Sequence, residues 1–279
     1  MPACFRSGDG RPGGIVGYPL DSLFEETAET RWIDFDTFVT PTTTRAAELA
    51  AGLTIEAARS GGFALVRPPG HHASREKAMG FCLINNVAIA AAKALKMVNR
   101  VAIIDWDVHH GNGTQDIFYN NGRVLYCSTH QEDAFPHTGH IEETGTGSGT
   151  GFTINAPLPC KSTIADYSLV FENVFLPAIA RMGPDLIIIS AGQDVLSDDP
   201  VGDMQLVPED IGYLTGLVLD ATGMPLTLVL EGGYGPSHGA AVRNIFDALG
   251  GTRFACGNRT PCKKTMSLVS RLRKIHNLP

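Results

Sequence analysis

Long apolar runs are absent from this 279-residue chain: Leu186 to Ile189 and Leu226 to Leu230 are its most apolar stretches. A helix crossing a bilayer needs about 20 apolar residues, so no membrane span is expected. The first residues, MPACFRSGDGRPGG, lack an apolar segment of the kind a secretory signal needs. Six cysteines are present, Cys4, Cys82, Cys127, Cys160, Cys256 and Cys262, yet no C-x-x-C pair occurs and most sit among apolar neighbours. They read as reduced thiols of an intracellular protein, with the cytoplasm the first expectation. Acids are missing from Gly251 onward, where seven Lys or Arg lie. That leaves 15 basic against 29 acidic residues, a balance of −14, in residues 1–250. An acidic body attracts cationic ligands. The basic end has no interleaved aromatics and no nucleic-acid motif, so it is expected to be a solvated appendage. No internal repeat or low-complexity tract is visible, and the glycine-rich GTGSGTG does not satisfy GxGxxG. That run is expected to be backbone packed close to a pocket, not a phosphate cradle.

What the chain does have is alternation. With 43% hydrophobic and 18% charged residues, it is long enough for one α/β domain, expected over residues 1–250 with 1–30 irregular and 251–279 as a basic tail. Helical spacing marks 44–59, about 84–97, a segment capped by Ser162 or Thr163 and running to about Arg181, about 208–221, and about 239–249. Asp166 sits where a T-x-x-D capping box needs its acid. Between these lie short apolar strands at 63–66, 101–104, 123–128, 184–190 and 226–230. Strands that are apolar throughout, alternating with helices, imply an open, mainly parallel sheet covered by helices on both faces.

Each strand delivers a polar cluster at its C-terminal end: HH, DWDVHH, STH, QD and GGY. Ligands in open parallel sheets bind at that edge. The central cluster is Asp105 to Gly113, DWDVHHGNG. Side chains in an extended segment alternate, so Asp105, Asp107 and His109 project one way while Trp106 and Val108 project the other. Buried carboxylates and an imidazole converging there call for a cation. Asp107, His109 and Asp194 are the candidate ligands, a set that leaves coordination positions open. It suits Zn²⁺ without excluding Fe²⁺. His71 and His72, on a loop stiffened by two prolines, are candidates for proton transfer. Tyr234 is a neutral donor for a developing oxyanion. Together they describe a metal-dependent amide hydrolase.

The runs RPPGHHA, MGFCLINN, DWDVHHGNGTQ, SAGQD, DPVG and LEGGY, in this order over about residues 61–249, resemble the zinc-dependent histone deacetylase superfamily. The closest likeness is to its class II and bacterial deacetylase-like amidohydrolases. The resemblance implies the arginase-deacetylase fold and hydrolysis of acetyl-lysine in peptides or proteins, or of an acetylpolyamine. It assigns Asp107, His109 and Asp194 to zinc, His71 and His72 to proton transfer, and Tyr234 to the substrate carbonyl. Asp105 would stand behind His71 and Asn112 behind His72. Phe81 and Phe135 would wall an acyl-lysine tunnel, with the Gly80 carbonyl accepting the substrate N–H. A potassium ion would be held by Asp105, Asp107, His109, Ser128 and Thr129, mostly through backbone oxygens. An Asp partner supports the charged imidazole whereas an amide only orients it, so the two histidines are expected to titrate differently.

The sequence departs from that family at two points. Gln193 and Val195 flank the metal aspartate where an aromatic and a small residue are common. The part before Phe63 is short, and the usual first strand is not recognisable, which would expose a sheet edge. A rim acid is expected at Asp34 or Asp36. The competing reading is a truncated or weakly active paralogue acting as an acyl-lysine binding module. A dimetal ureohydrolase is disfavoured, because bridging carboxylates are lacking beside Asp107.

Overall fold

The structure, a computed structural model, describes residues 30–279 apart from Asn258. The expected irregular start and Cys4 lie outside the described residues. A two-residue antiparallel pair comes first, β1 (Arg31–Trp32) with β2 (Phe38–Val39), and then α1 (Thr43–Ser60), which ends at Gly61 with φ of 76°. The main sheet has six parallel strands: β3 (Gly62–Ala64), β4 (Val101–Asp105), β5 (Val124–Gln131), β6 (Thr153–Leu158), β7 (Leu186–Ser190) and β8 (Leu226–Val229). Their order is β3-β8-β7-β4-β5-β6, with every pairing parallel.

The central strand β4 shows why the sheet is covered on both sides. Val101 and Ile103 belong to one apolar core, while Ala102, Ile104, Trp106 and Val108 belong to the other. Burying each such side chain stabilises by about 1.5–3 kcal/mol. The first core is roofed by α1, α2 (Asn86–Ala94) and α3 (Asn112–Phe118). The second is roofed by α4 (Ile164–Val170), which runs through a π turn at Phe171–Phe175 into α5 (Leu176–Met182), and by α6 (Pro208–Thr222) and α7 (His238–Leu249). Asp166 accepts the Thr163 N–H at 3.0 Å, so the acid expected at that cap is in place.

Three expectations need correction. The basic end is not a solvated appendage throughout, because α8 (Lys263–Ile275) packs on α4 and β6 and buries Leu268, Val269 and Leu272 in the larger core. Its apolar residues fall one turn apart, and its charges face outward. The strand β6, which holds Pro157, escaped sequence reading. Proline is tolerated there since β6 is an edge. The glycine run packs on the end of α3, where a Cβ at Gly149 would meet Asn121 N at 2.7 Å and crowd Tyr119 O, beside a surface cavity that Tyr119 lines. Finally, the five described cysteines are free, but only Cys82 and Cys127 are buried. The other sheet edge is β3, three residues long, and no helix among the described residues is long and apolar enough to cross a membrane.

Candidate active site

Strands β3, β8, β7 and β4 are consecutive in the sheet, and the segments leaving their C-terminal ends converge on one cavity of about 170 Å³. Its lining includes His71, His72, Gly80, Phe81, Asp107, His109, Phe135, Asp194 and Tyr234.

At its floor, His109 Nδ1 lies 3.2 Å from Asp107 Oδ1 and 3.2 Å from Asp194 Oδ2. Asp107 Oδ1 accepts the His109 N–H at 2.9 Å, Asp107 Oδ2 accepts Gly232 N–H at 2.7 Å, and Asp194 Oδ1 accepts Val108 N–H at 3.0 Å. These backbone bonds fix both carboxylates and leave Asp194 Oδ2 buried without a hydrogen-bond partner. A Cβ on Gly232 would collide with Asp194 Oδ2, and one on Gly192 with Asp107 Oδ2, so both glycines are required by close approach.

The residues fit a divalent metal. Ligand atoms about 2.0 Å from a tetrahedral centre lie about 3.3 Å apart, which is the spacing found around His109 Nδ1. The electrostatics agree. Burial and the Asp107 charge push the Asp194 carboxyl up to about 6, while His109, despite burial, is drawn up to about 10 by Asp107 and Asp194. A pair of buried carboxylates pulling a proton onto one imidazole is a site with surplus negative charge.

Above the floor stand the two histidines, ring centroids 4.1 Å apart. His71 Nδ1 is 3.1 Å from Asp105 Oδ2, and His72 Nδ1 is 2.8 Å from Asn112 Oδ1. Burial opposes charge on both. At His71 the Asp107 and Asp105 carboxylates outweigh burial and raise it well above the ordinary value. At His72 burial and the neighbouring His71 leave it well below. The two rings therefore titrate in opposite directions, as their different partners require.

The walls are aromatic. Phe135 meets His72 edge-on at 5.1 Å, and Phe81 meets Tyr234 edge-on at 5.8 Å. Gly80 adopts φ of 56°, and a Cβ there would come within 2.6 Å of His72 Cδ2. Tyr234 is 43% exposed, yet partial burial with the nearby Asp194 and Asp107 charges raises its phenol, keeping it a neutral donor. Asp36 also lines the cavity, whereas Asp34 does not.

Of the residues expected to hold potassium, Asp105 pairs with Ser128 across β4 and β5. Asp105 Oδ1 accepts Asp107 N–H at 3.2 Å, Ser128 Oγ bonds His130 Nδ1 at 2.9 Å, and Thr129 Oγ1 is buried without a partner. Val195 is buried in the larger core; the adjacent Gln193 bonds back to Ala191 O at 2.8 Å and turns away from the cavity.

Three residues escaped sequence reading. Glu231, wholly buried, accepts Gly70 and His71 N–H at 2.7 and 3.1 Å; Arg67 donates to Glu231 O and Gly233 O; and Asp199 Oδ2 accepts Tyr234 N–H at 2.6 Å and Gly235 N–H at 2.8 Å. The available signal was an acid closing the apolar run LTLVLE, the same pattern that exposed Asp105. His71, Cys82 and Glu231 also cluster, but the carboxylate oxygens of Glu231 are engaged by Gly70, His71 and Ser190.

The histone deacetylase domain model matches residues 19–249, and the chain belongs to the histone deacetylase family. It is 44% identical over 211 residues to Histone deacetylase 15 of Arabidopsis thaliana, covering 71% of this chain and 38% of that one. A probable deacetylase of Archaeoglobus fulgidus is 43% identical over 217 residues, covering 72% of this chain and 60% of the other. The chain thus spans less than two thirds of the length of these relatives. The crystal structure of the HDA15 HD domain superposes with a TM-score of 0.85 at 34% identity, covering 96% of this chain and 82% of that one.

Proposed function

We propose that this protein is a zinc-dependent hydrolase that removes acetyl groups from lysine side chains or related acetylated amines. One observation carries the reading: the metal-type triad, the oppositely titrating histidine pair and Tyr234 all line one narrow, aromatic-walled cavity. A bound divalent metal supplies Lewis acidity toward the amide carbonyl and lowers the pKa of water to about 7. Zinc is favoured by a one-nitrogen, two-carboxylate set with tetrahedral spacing; Fe²⁺ is the alternative the donors allow.

The chain's own groups do the rest. Phe81 and Phe135 accept a slender apolar stem and exclude water around it, and the Gly80 carbonyl takes the amide N–H. Tyr234 donates its O–H to the carbonyl oxygen as charge develops there. His72, kept neutral at Nε2 by burial and His71, takes a proton from the attacking water. His71, held in one tautomer by Asp105, stabilises charge across the pair and returns a proton to the leaving amine. Potassium, through Asp105, Asp107, His109, Ser128 and Thr129, is proposed to brace the β4–β5 end. The free thiols support an intracellular setting, and the catalytic unit is proposed to extend through α8, whose Leu268, Val269 and Leu272 share the larger core.

The test is a deacylation assay on the full chain with an acetyl-lysine peptide and an acetylated polyamine in parallel. Turnover lost on chelation and restored by zinc supports the reading and ranks the substrates. Folded, metal-loaded protein that binds acetylated peptide but hydrolyses neither substrate would make it a binding module.

A further inference from the structure

The ladder between β3 and β8 ends where Leu230 N–H donates to Ala64 O at 3.0 Å, and beyond it the two chains diverge toward the site. One becomes the loop carrying His71 and His72, the other the turn carrying Tyr234. The separation of these loops sets the distance between the proton-transfer pair and the carbonyl donor. Backbone pairing no longer fixes it.

Two side chains do. Arg67, on the histidine loop, reaches across to donate Nη1 to Glu231 O at 2.6 Å and Nη2 to Gly233 O at 2.9 Å. Its Cζ also stands 5.2 Å from the centre of the Tyr234 ring. Glu231, on the tyrosine turn, reaches back: Oε2 accepts Gly70 and His71 N–H at 2.7 and 3.1 Å, and Oε1 accepts Ser190 Oγ–H at 3.1 Å. Each loop lends a charged side chain to the backbone of the other. Burying the Glu231 carboxylate is costly, and an apolar residue of similar size would fill the space more stably, while the exposed Arg67 side chain directs its guanidinium to two carbonyls of the other loop. Apart from the Ser190 hydroxyl, the bonds go to loop backbone and not from one charge to the other, which is an arrangement that fixes position.

We propose that Arg67 and Glu231 are a reciprocal clasp that positions the His71–His72 loop against Tyr234. This rests on the hydrolase reading above. Neither residue lines the cavity; they act through the groups they hold.

The experiment compares Arg67→Met, Arg67→Lys, Glu231→Gln and the Arg67→Met/Glu231→Gln double variant in the metal-loaded full chain. Metal content, kcat and KM are measured separately, and amide hydrogen exchange is followed over residues 68–72 and 231–235. Arg67→Met is expected to keep its metal and a KM within about threefold of the wild type, while kcat falls roughly 10²-fold, the scale of about 1 Å of misplacement. Arg67→Lys recovers part of kcat, since an ammonium reaches one carbonyl where the guanidinium fork reaches two. The double variant falls little below Arg67→Met, because both residues hold one gap. Exchange accelerates in both loops in each single variant. Unchanged kcat, a loss confined to KM or metal content, or multiplicative losses overturns the clasp. If the wild type hydrolyses nothing, the hydrolase reading has failed and exchange alone decides. Acceleration crossing from one loop to the other then supports the clasp, and wild-type exchange in the partner loop overturns it.

Discussion

His109 Nδ1 stands 3.2 Å from Asp194 Oδ2, and the same nitrogen stands 3.2 Å from Asp107 Oδ1. One proton on that nitrogen cannot serve both carboxylates, whereas a dication between them serves all three ligands. Asp194→Ala is therefore expected to lower zinc affinity by more than about 10²-fold, exceeding the usual effect of removing a supporting partner. Metal content after dialysis checks this. Chelation should lower the thermal midpoint of the wild type, since metal binds the folded state, and should leave that of Asp194→Ala unmoved.

Tyr234 is placed by backbone bonds to Asp199 and packed against Phe81, so its ring position does not depend on its hydroxyl. Tyr234→Phe should keep the metal and the fold while kcat falls by about 10²–10³-fold, the cost of losing one oxyanion donor. Steady-state kinetics with metal content as the control decides it, and full activity would remove Tyr234 from the chemistry.

The parts of this molecule that were legible in its sequence are those governed by local rules. Asp105, Asp107 and His109 were placed on one face because β4 alternates, and Ala102, Ile104, Trp106 and Val108 do pack together on the opposite side. The apolar strands announced a parallel sheet, and its C-terminal edge announced the site. What stayed hidden depends on partners distant in sequence. Arg67 meets Gly233 across 166 residues, and although it opens the RPPGHHA run, nothing in that run names its partner. The strand β6 went unread, and the Pro157 it holds is permitted by its edge position. The basic end looked solvated because it carries seven cations and no acid. The regular spacing of Leu268, Val269 and Leu272 was the signal to weigh instead.

That helix supplies a stability test. Leu272 is fully buried against the core beneath α4 and β6, so truncating it leaves a cavity. Leu272→Ala is expected to cost about 2–5 kcal/mol in denaturant unfolding. Substituting the exposed Lys263 or Lys274 should change stability by less than about 0.5 kcal/mol. A solvated tail would show no difference between the two classes.

The same helix ends at His276, whose ring is buried with Nε2 lacking a hydrogen-bond partner. Burial, and then the Arg181 charge, depresses this histidine to about 4 from its ordinary 6.5. The sign follows from which state binds the proton. Above 6.5 the ring is neutral folded and unfolded, and the full stability is present. Between 6.5 and 4 the unfolded chain takes up a proton that the folded ring refuses, so stability falls as pH falls. His276→Gln removes that proton from the balance. Its unfolding free energy, measured from pH 8 to pH 4, should decline less steeply than the wild type below 6.5, by up to one proton in the linkage slope. Above 6.5 the two curves should run parallel. Buried His110, depressed to about 4, adds its own slope to both proteins, so the difference between the curves isolates His276.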